Sequence, residues 1–337
     1  MPRYGNGPMV QYLIHRILAC LPVLFLVSVI VFGIGCLVPG DIPALILGPD
    51  AAAEDVLALR ERMGLDLSLH ERYVRWFRGV LRLDLGESFA GGFPVAGIIA
   101  DRIGPTVSLA LFSLLLSVLI AVPLGITAAF RRGRLADLVC SVVTLTGVSV
   151  PGFLLGLFLI LVFAVKLRWF PAALYIPPSA GIAAHLRSIA LPGIALALVY
   201  AALLARIIRS SLADVLDGDY IRAARSKGAG AVILALRHAL PNILPPVLSV
   251  LGQGFIGALT GAAVLESVFG IPGIGALAAS SISRRDLPVI QAIVLLFVLI
   301  NQGLNLAIDF LCALVDPRIR IAAGPGSRIA AADKKAG

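Results

Sequence analysis

The sequence predicts an all-α integral membrane protein with six transmembrane helices. Of its 337 residues, 59% are hydrophobic and only 14% are charged, and the mean hydropathy is +0.99. A soluble domain carries roughly a quarter charged residues. Six apolar stretches are long enough to cross a hydrocarbon core that needs about 20 helical residues. They lie near Ile17–Val38, Val107–Phe130, Leu138–Val165, Ile189–Ile207, Ile243–Val268 and Val289–Val315.

The distribution of charge predicts the orientation of these spans. With a cytoplasmic N-terminus, 16 of the 28 basic and 7 of the 19 acidic residues fall inside, so the inner side holds the whole net charge of +9. Loops on the cytoplasmic side of membrane proteins carry such an excess of Lys and Arg. Both termini are therefore predicted to be cytoplasmic. The high pI of 9.9 is explained by topology and indicates no binding of nucleic acid.

Four segments follow from this pattern. Residues 1–38 form a cytoplasmic N-terminus and the first span, and 39–103 form an external helical segment. Residues 104–315 form a five-helix core with a polar loop at 217–242, and 316–337 form a cytoplasmic tail that we expect to be disordered. The first apolar stretch is longer than the apolar region of a typical signal peptide and lacks a small-x-small cleavage site, so we expect it to be retained.

The external segment is too long and too patterned for a plain loop. Ser68 and Glu71 have the spacing of a capping box. Tyr73, Phe77 and Leu81 then follow at helical spacing. Together with a preceding helix that ends at Gly64, this predicts two amphipathic helices in a small external subdomain. Three roles stay open for it: contact with an external partner, closure over the entrance of a pathway, or simple packing on the span ends.

The polar loop at 217–242 predicts a short docking helix on the inner membrane face. Asp219 is a suitable N-cap and Gly228 a suitable stop, which leaves about two helical turns between them. Small side chains at its centre would let a partner surface approach closely, and basic residues surround them. The residues expected at this contact are Asp219, Tyr220, Arg222, Ala223, Ala224, Lys227, Gly228, Leu240 and Pro241.

Polar residues and helix breakers within the spans are candidates for a translocation path or gate. Ser149 and Pro151 lie in a run that favours a kink in the third span. Glu266 ends the fifth span, where a carboxylate is costly unless it faces protein or water. Asn301, Asn305 and Asp309 lie at i, i+4 and i+8 on one helix face. Structural alternatives stay open: Glu266 could contact Arg284, Arg285 or loop amides, and the stripe could serve hydrogen bonds between helices.

Motifs for catalysis are missing from the sequence. None of the four lysines follows a glycine, so there is no G-x-x-x-x-G-K-[ST] phosphate loop, and there is no HExxH or CxxC. We therefore predict no enzyme activity, no bound metal and no cofactor held by this chain. Membrane spans with a docking helix and no ATPase motif indicate a transport subunit driven by a separate ATPase.

The docking loop resembles a motif of bacterial ABC importer permeases: Glu-Ala-Ala, three residues, Gly, nine residues, then Ile-x-Leu-Pro. Arg222-Ala223-Ala224, Gly228 and His238-Ala239-Leu240-Pro241 fit this spacing without a gap. Arg222 and His238 replace Glu and Ile, departures that the peptide-type branch of the family commonly shows. Further segments agree from Val10 to Ile321, among them Leu265–Gly275, Arg285–Gln291 and Ser149–Phe153. The chain thus resembles the dipeptide/oligopeptide/nickel permeases of binding-protein-dependent ABC importers.

This resemblance implies a MetI-like permease bundle in the bacterial inner membrane. The implied partners are a second, homologous permease, two cytoplasmic ATPase subunits that hold ATP and Mg, and an external substrate-binding protein. By resemblance, Ala223, Ala224 and Gly228 lie at the groove of the ATPase, where Arg222 cannot play the acidic role of a Glu.

The resemblance favours di- or oligopeptides as substrates. Nickel, glutathione, opines and some sugars stay open, although His70 and His185 are the only external histidines. From another class, a stand-alone secondary transporter would need a relay of ionisable groups inside the spans, for which Glu266 and Asp309 are the only candidates.

Overall fold

The computed structural model describes residues 7–37, 42–48, 51–218, 221, 226 and 240–315. Within these residues the chain is helical apart from short turns, one isolated β-bridge between Glu87 and Pro94, and an irregular connection at 167–181 that contains the 3-10 turn Pro178–Ala180. Its α-helices are α1 Gly7–Leu37, α2 Ile42–Leu47, α3 Ala53–Arg62, α4 Leu69–Leu81, α5 Val95–Phe130, α6 Leu135–Ser149, α7 Gly152–Leu159, α8 Ile182–Leu216, α9 Leu240–Phe269, α10 Ile274–Ser283 and α11 Leu287–Val315.

Five helices in the described residues are long and apolar enough to cross a membrane, namely α1, α5, α8, α9 and α11. Helix α7 continues into the π-helical turns Ile160–Lys166. Together with α6 it forms a sixth span if the two helices, which are bent by 97° relative to each other, are counted as one. The predicted all-helical bundle of six spans agrees with this structure. The expected kink in the third span is in fact a full break, because Val150 is extended. A residue before proline is disfavoured in the helical region, and Pro151 has no N–H to bond back.

The helices extend beyond the spans that apolar composition marks out. Helix α5 begins at Val95, ahead of the expected Val107, and α8 runs from Ile182 to Leu216. The expected border between 103 and 104 thus falls within α5. A helix can continue beyond the hydrocarbon core through turns that are less apolar. Hydropathy therefore marks only the part of the helix that lies inside the core.

Helix α8 lies at the centre of the bundle and packs against α5, α6, α7 and α9. In its most apolar stretch 72% of the residues are buried, against 11% in α1. Close approach depends on small residues. A Cβ added at Gly125 of α5 would lie 2.9 Å from the carbonyl oxygen of Ala205 on α8.

The segment that was predicted to be external packs on the first span. The capping box predicted for α4 is confirmed. The hydroxyl and the backbone N–H of Ser68 both donate to the carboxylate of Glu71. The aromatic face of α4 lies on α1: Tyr73 and Trp76 have ring centroids 5.4 and 5.6 Å from that of Phe32. Helix α3 is also confirmed, ending before Gly64 with its positive φ of 64°, whereas α2 was not predicted.

Candidate functional site

The predicted docking residues lie in the part of the chain with the fewest described positions. Asp219, Tyr220, Arg222, Ala223, Ala224, Lys227 and Gly228 fall outside the described residues. The structure describes the borders of the polar loop: α8 ends at Leu216 and α9 begins at Leu240, followed by an exposed Pro241. The prediction for this contact therefore rests on the sequence.

The two helices that border the polar loop are packed together. Leu212 near the end of α8 and Ile243 near the start of α9 are each 1% exposed and belong to one apolar cluster. Ala128 and Cys140 bring α5 and α6 into the same cluster. A displacement of the polar loop would therefore act on four packed helices at once.

Next to this cluster, a partly buried ion pair ties the short loop between α5 and α6 to α8. The guanidinium of Arg209 donates to Asp137, and the backbone N–H of Gly133 donates to the other carboxylate oxygen at 2.9 Å. The side chains of Arg209 and Asp137 are 31% and 11% exposed. The signal in the sequence that could have found this pair is a single acidic residue, Asp137, that follows three arginines.

A second ion pair joins the same loop to the end of α8. Arg132 lies 3.3 Å from Asp217, which caps the C-terminus of α8, and both side chains are about two-thirds exposed. The α5–α6 loop thus contacts α8 at Arg209, and it also contacts Asp217, the first residue of the polar loop. This geometry positions the start of the polar loop relative to α5 and α6.

At the end of the bundle opposite the polar loop, Glu266 anchors a turn. Its side chain is fully buried and accepts hydrogen bonds from Thr106 Oγ1 at 2.6 Å and from the N–H of Ala276 at 3.0 Å. The Thr106 hydroxyl accepts in turn from the N–H of Ile274 at 2.8 Å. Gly273 lies against the carboxylate without room for a Cβ. The carboxylate thus bonds to a hydroxyl of α5 and to an N–H in the first turn of α10.

The other path candidates divide between two places. Ser149 and Pro151 are exposed at the break of the third span, where the Ser149 hydroxyl donates to the carbonyl of Leu145 at 2.7 Å. On α11, Asn305 donates to Asn301 at 2.8 Å. Asp309 instead forms a two-point ion pair with Arg16 of α1, at 3.1 and 3.2 Å. Part of the polar stripe therefore joins two helices.

Two further polar contacts at the same end of the bundle were not predicted from the sequence. Asp286, only 4% exposed, accepts from the hydroxyl of Ser88 and from the N–H of Phe89. His185, 5% exposed, donates from Nδ1 to the carbonyl of Ile176 at 2.6 Å and contacts Ser108 through Nε2. These partners lie far apart along the chain or in irregular segments, so no local pattern marks them.

The described residues contain no group of three or more His, Cys, Asp and Glu side chains that could hold a metal ion. The buried polar groups found above are bonded to one another across helices. Such an arrangement fixes helices and turns in place.

Comparison with known proteins assigns the chain to a family. Residues 121–321 match the model of the binding-protein-dependent transport system inner membrane component, and residues 9–110 match the N-terminal model of such membrane components. A probable peptide ABC transporter permease of Sinorhizobium fredii is 37% identical over 309 residues, 92% of this chain and 99% of the relative.

Glutathione transport system permeases of Shigella flexneri and of Escherichia coli are each 39% identical over 312 residues, 93% of this chain and 99% of the relative. The family models and the relatives of nearly full length agree with a helical membrane protein. The chain belongs to the family of binding-protein-dependent transport system inner membrane components, and it is a multi-pass permease subunit of an ABC importer rather than an enzyme.

Proposed function

We propose that this chain forms one half of the translocation pathway of an ATP-driven importer for di- or oligopeptides. The observation that carries the proposal is similarity over almost the whole chain to permeases named for a peptide and for glutathione, itself a tripeptide. An importer of this family works with ATPase and substrate-binding partners. The finer assembly that we propose has a second, homologous permease, two cytoplasmic ATPase subunits and one external binding protein.

The chemistry of ATP belongs to the partner subunits in this proposal. ATP and Mg bind to the ATPases, whose closure moves the docked helix at 219–228. The borders of that helix support a mechanical role, because α8 and α9 pack together directly beside it. Movement of the loop would pass through Asp217 and Arg209 to the α5–α6 loop. The bundle would then switch between outward and inward access.

The docking contact can be tested with one substitution. Gly228→Glu should leave insertion and folding intact and abolish copurification of the ATPase, because a side chain at the helix stop would fill the groove. Gly324→Glu in the C-terminal tail is the matched control for an added negative charge on the same side. Normal recovery of the ATPase with Gly228→Glu would refute the proposed docking site.

The proposed path uses Ser149, Pro151, Glu266, Asn301, Asn305 and Asp309. Exposure supports Ser149, Pro151 and Asn305 as groups that line it, whereas the buried Glu266 would act as the anchor of a gate. Ser149→Cys and Asn305→Cys should react with a small thiol reagent during turnover and not in the resting assembly. Equal labelling in both conditions would remove them from the path.

Glutathione is the second candidate substrate. The similarity to glutathione permeases is as high as that to the peptide permease, so identity does not choose between them. Uptake of a labelled dipeptide by cells that express the complete importer, in competition with excess glutathione, separates the two. Nickel has less support, because His185 is already bonded to Ser108 and to the carbonyl of Ile176.

A further inference from the structure

A cavity of about 350 Å³ opens at the outer end of the bundle, away from the polar loop, and the turn held by Glu266 contributes no residue to its lining. It lies between the outer ends of α1 and α11, helix α4 and the segment after α4. Four charged side chains line it: Arg72, Arg75, Asp84 and Glu87. Cavities of this size, with an apolar lining and a few polar groups, are typical of small-molecule sites.

The two positive and two negative charges of the lining sum to zero, but they form no ion pairs with one another. The structure shows no ion pair for either arginine with a described carboxylate. One oxygen of Asp84 accepts from the N–H of Gly86 at 3.1 Å, which leaves its second oxygen available. Arg75 lies over Gly64, where an added Cβ would be 2.8 Å from Nη1. Two guanidiniums and two carboxylates therefore face one cavity.

The position of the cavity matches the outer boundary of a membrane. Phe32, Gly35 and Cys36 belong to the last turns of the first span, and Leu287 begins the last one. The rings of Tyr73 and Trp76 contact Phe32, and the ring of Phe77 stacks on that of Tyr73. Such aromatic groups are enriched at the membrane–water interface. The charged rim thus lies at the level of lipid headgroups.

The apolar surface of α1 below the rim is exposed. Only 11% of the most apolar stretch of α1 is buried, and Leu21, Phe25 and Val29, which lie below Phe32 on the same face of the helix, are 54%, 57% and 41% exposed. A molecule in the cavity with a charged end at the rim could therefore lay acyl chains along α1. A short peptide has charged ends but no acyl chains to cover this surface.

We propose that the cavity binds the headgroup of a phospholipid that carries both a phosphate and a primary ammonium group, the chemistry of phosphatidylethanolamine. Arg72 and Arg75 hold the phosphate, since guanidinium groups match phosphate oxygens in a two-point geometry. Glu87 and the second oxygen of Asp84 accept from the ammonium. The bound lipid joins α4 to α1 and α11 and so stabilises the external subdomain on the spans.

The experiment measures which lipids stay with the full-length chain in the assembly with which it copurifies. The delipidated assembly is incubated with equal amounts of phosphatidylethanolamine, phosphatidylglycerol and phosphatidylcholine, and retained lipid is counted by native mass spectrometry. We expect retention of phosphatidylethanolamine, about tenfold weaker in Arg75→Gln and in Arg72→Gln, because each removes a charge-assisted hydrogen bond. Arg78→Gln is the matched control, since Arg78 lies on α4 but lines only a neighbouring groove.

Glu87→Gln tests the ammonium half of the site separately. It should lower the preference for phosphatidylethanolamine over phosphatidylglycerol and leave total lipid retention nearly unchanged. Equal retention of all three lipids by the wild-type chain would overturn the proposal. So would unchanged retention in both arginine variants, or displacement of the lipid by excess dipeptide, which would assign the cavity to substrate. Lipid retention needs no turnover, so these outcomes are independent of the proposed transport function.

Discussion

The two ion pairs of the α5–α6 loop differ in burial, and burial decides what each contributes. Arg209 and Asp137 are mostly buried, whereas Arg132 and Asp217 are 66% and 71% exposed. An exposed pair contributes about 0–1 kcal/mol. Loss of one partner from a buried pair leaves an uncompensated charge and costs about 3–5 kcal/mol.

Arg209→Ala should therefore destabilise the protein by about 2–3 kcal/mol, somewhat below the value for a fully buried pair because Arg209 is 31% exposed. Arg132→Ala should cost less than about 1 kcal/mol. Thermal unfolding of the two purified variants in the same detergent makes the comparison. Equal shifts of the melting temperature would contradict the assigned difference in burial.

The capping box of α4 predicts a pH effect at the level of one residue. Hydrogen bonds from the Ser68 hydroxyl, and then from the Ser68 backbone N–H, hold the pKa of Glu71 below its ordinary value of 4.5. Because the pKa of Glu71 is lower in the folded than in the unfolded state, its carboxylate stabilises the folded helix at pH values above the unfolded-state pKa. This stabilisation is lost as the pH falls through the folded-state pKa.

Protection of the first α4 amides against hydrogen exchange should therefore stay constant near neutral pH and decrease below about pH 4.5. Glu71→Gln, which carries no titrating group, should show no such pH dependence after correction for intrinsic exchange rates. A decrease of the same size in both proteins would exclude Glu71 as the cause.

At the scale of elements, the turn between α9 and α10 depends on glycines that allow close packing. A Cβ added at Gly275 would overlap the Cα of Ala263 on α9 and lie 2.9 Å from its backbone nitrogen. Backbone atoms cannot move aside as the end of a side chain can. The Glu266 carboxylate, bonded to Ala276 in the next position, holds this turn in place.

Gly275→Ala should thus cost about 1–3 kcal/mol or more through overpacking. It should also reduce transport, because the turn would leave its bonds to Glu266 and Thr106. Gly303→Ala on α11 is the control, since a Cβ there meets nothing within 4 Å. Thermal unfolding together with uptake measures both effects, and a stable, active Gly275→Ala variant would refute the close packing.

At the scale of the whole molecule, the distribution of charge predicts how the bundle is inserted. The positive-inside rule places both termini in the cytoplasm and the segment between α4 and α5 outside. Ala90→Cys should then react with a membrane-impermeant maleimide on intact spheroplasts. Ala330→Cys should react only after lysis. The wild-type chain controls for its four native cysteines, and the reverse labelling pattern would invert the proposed topology.

Much of the architecture could be predicted from local properties of the sequence. Long apolar stretches mark the spans, and Ser68 with Glu71 marks the start of α4, because hydropathy and helix capping depend on residues close together in the chain. The docking helix was predicted from its caps, Asp219 and Gly228, and it stays a prediction because most of it lies outside the described residues. The full break at Pro151 was underestimated, since a kink and a break share the same residues.

The sequence by itself determined the class of the molecule: a helical membrane permease with a basic, polar loop between two spans. Only the tertiary structure decided what its buried polar groups do. Glu266 is 160 residues from Thr106, and Arg209 is 72 residues from Asp137. Whether a carboxylate lines a path or anchors a turn depends on which distant donors reach it. Packing of the helices decides that, and no pattern along the chain records it.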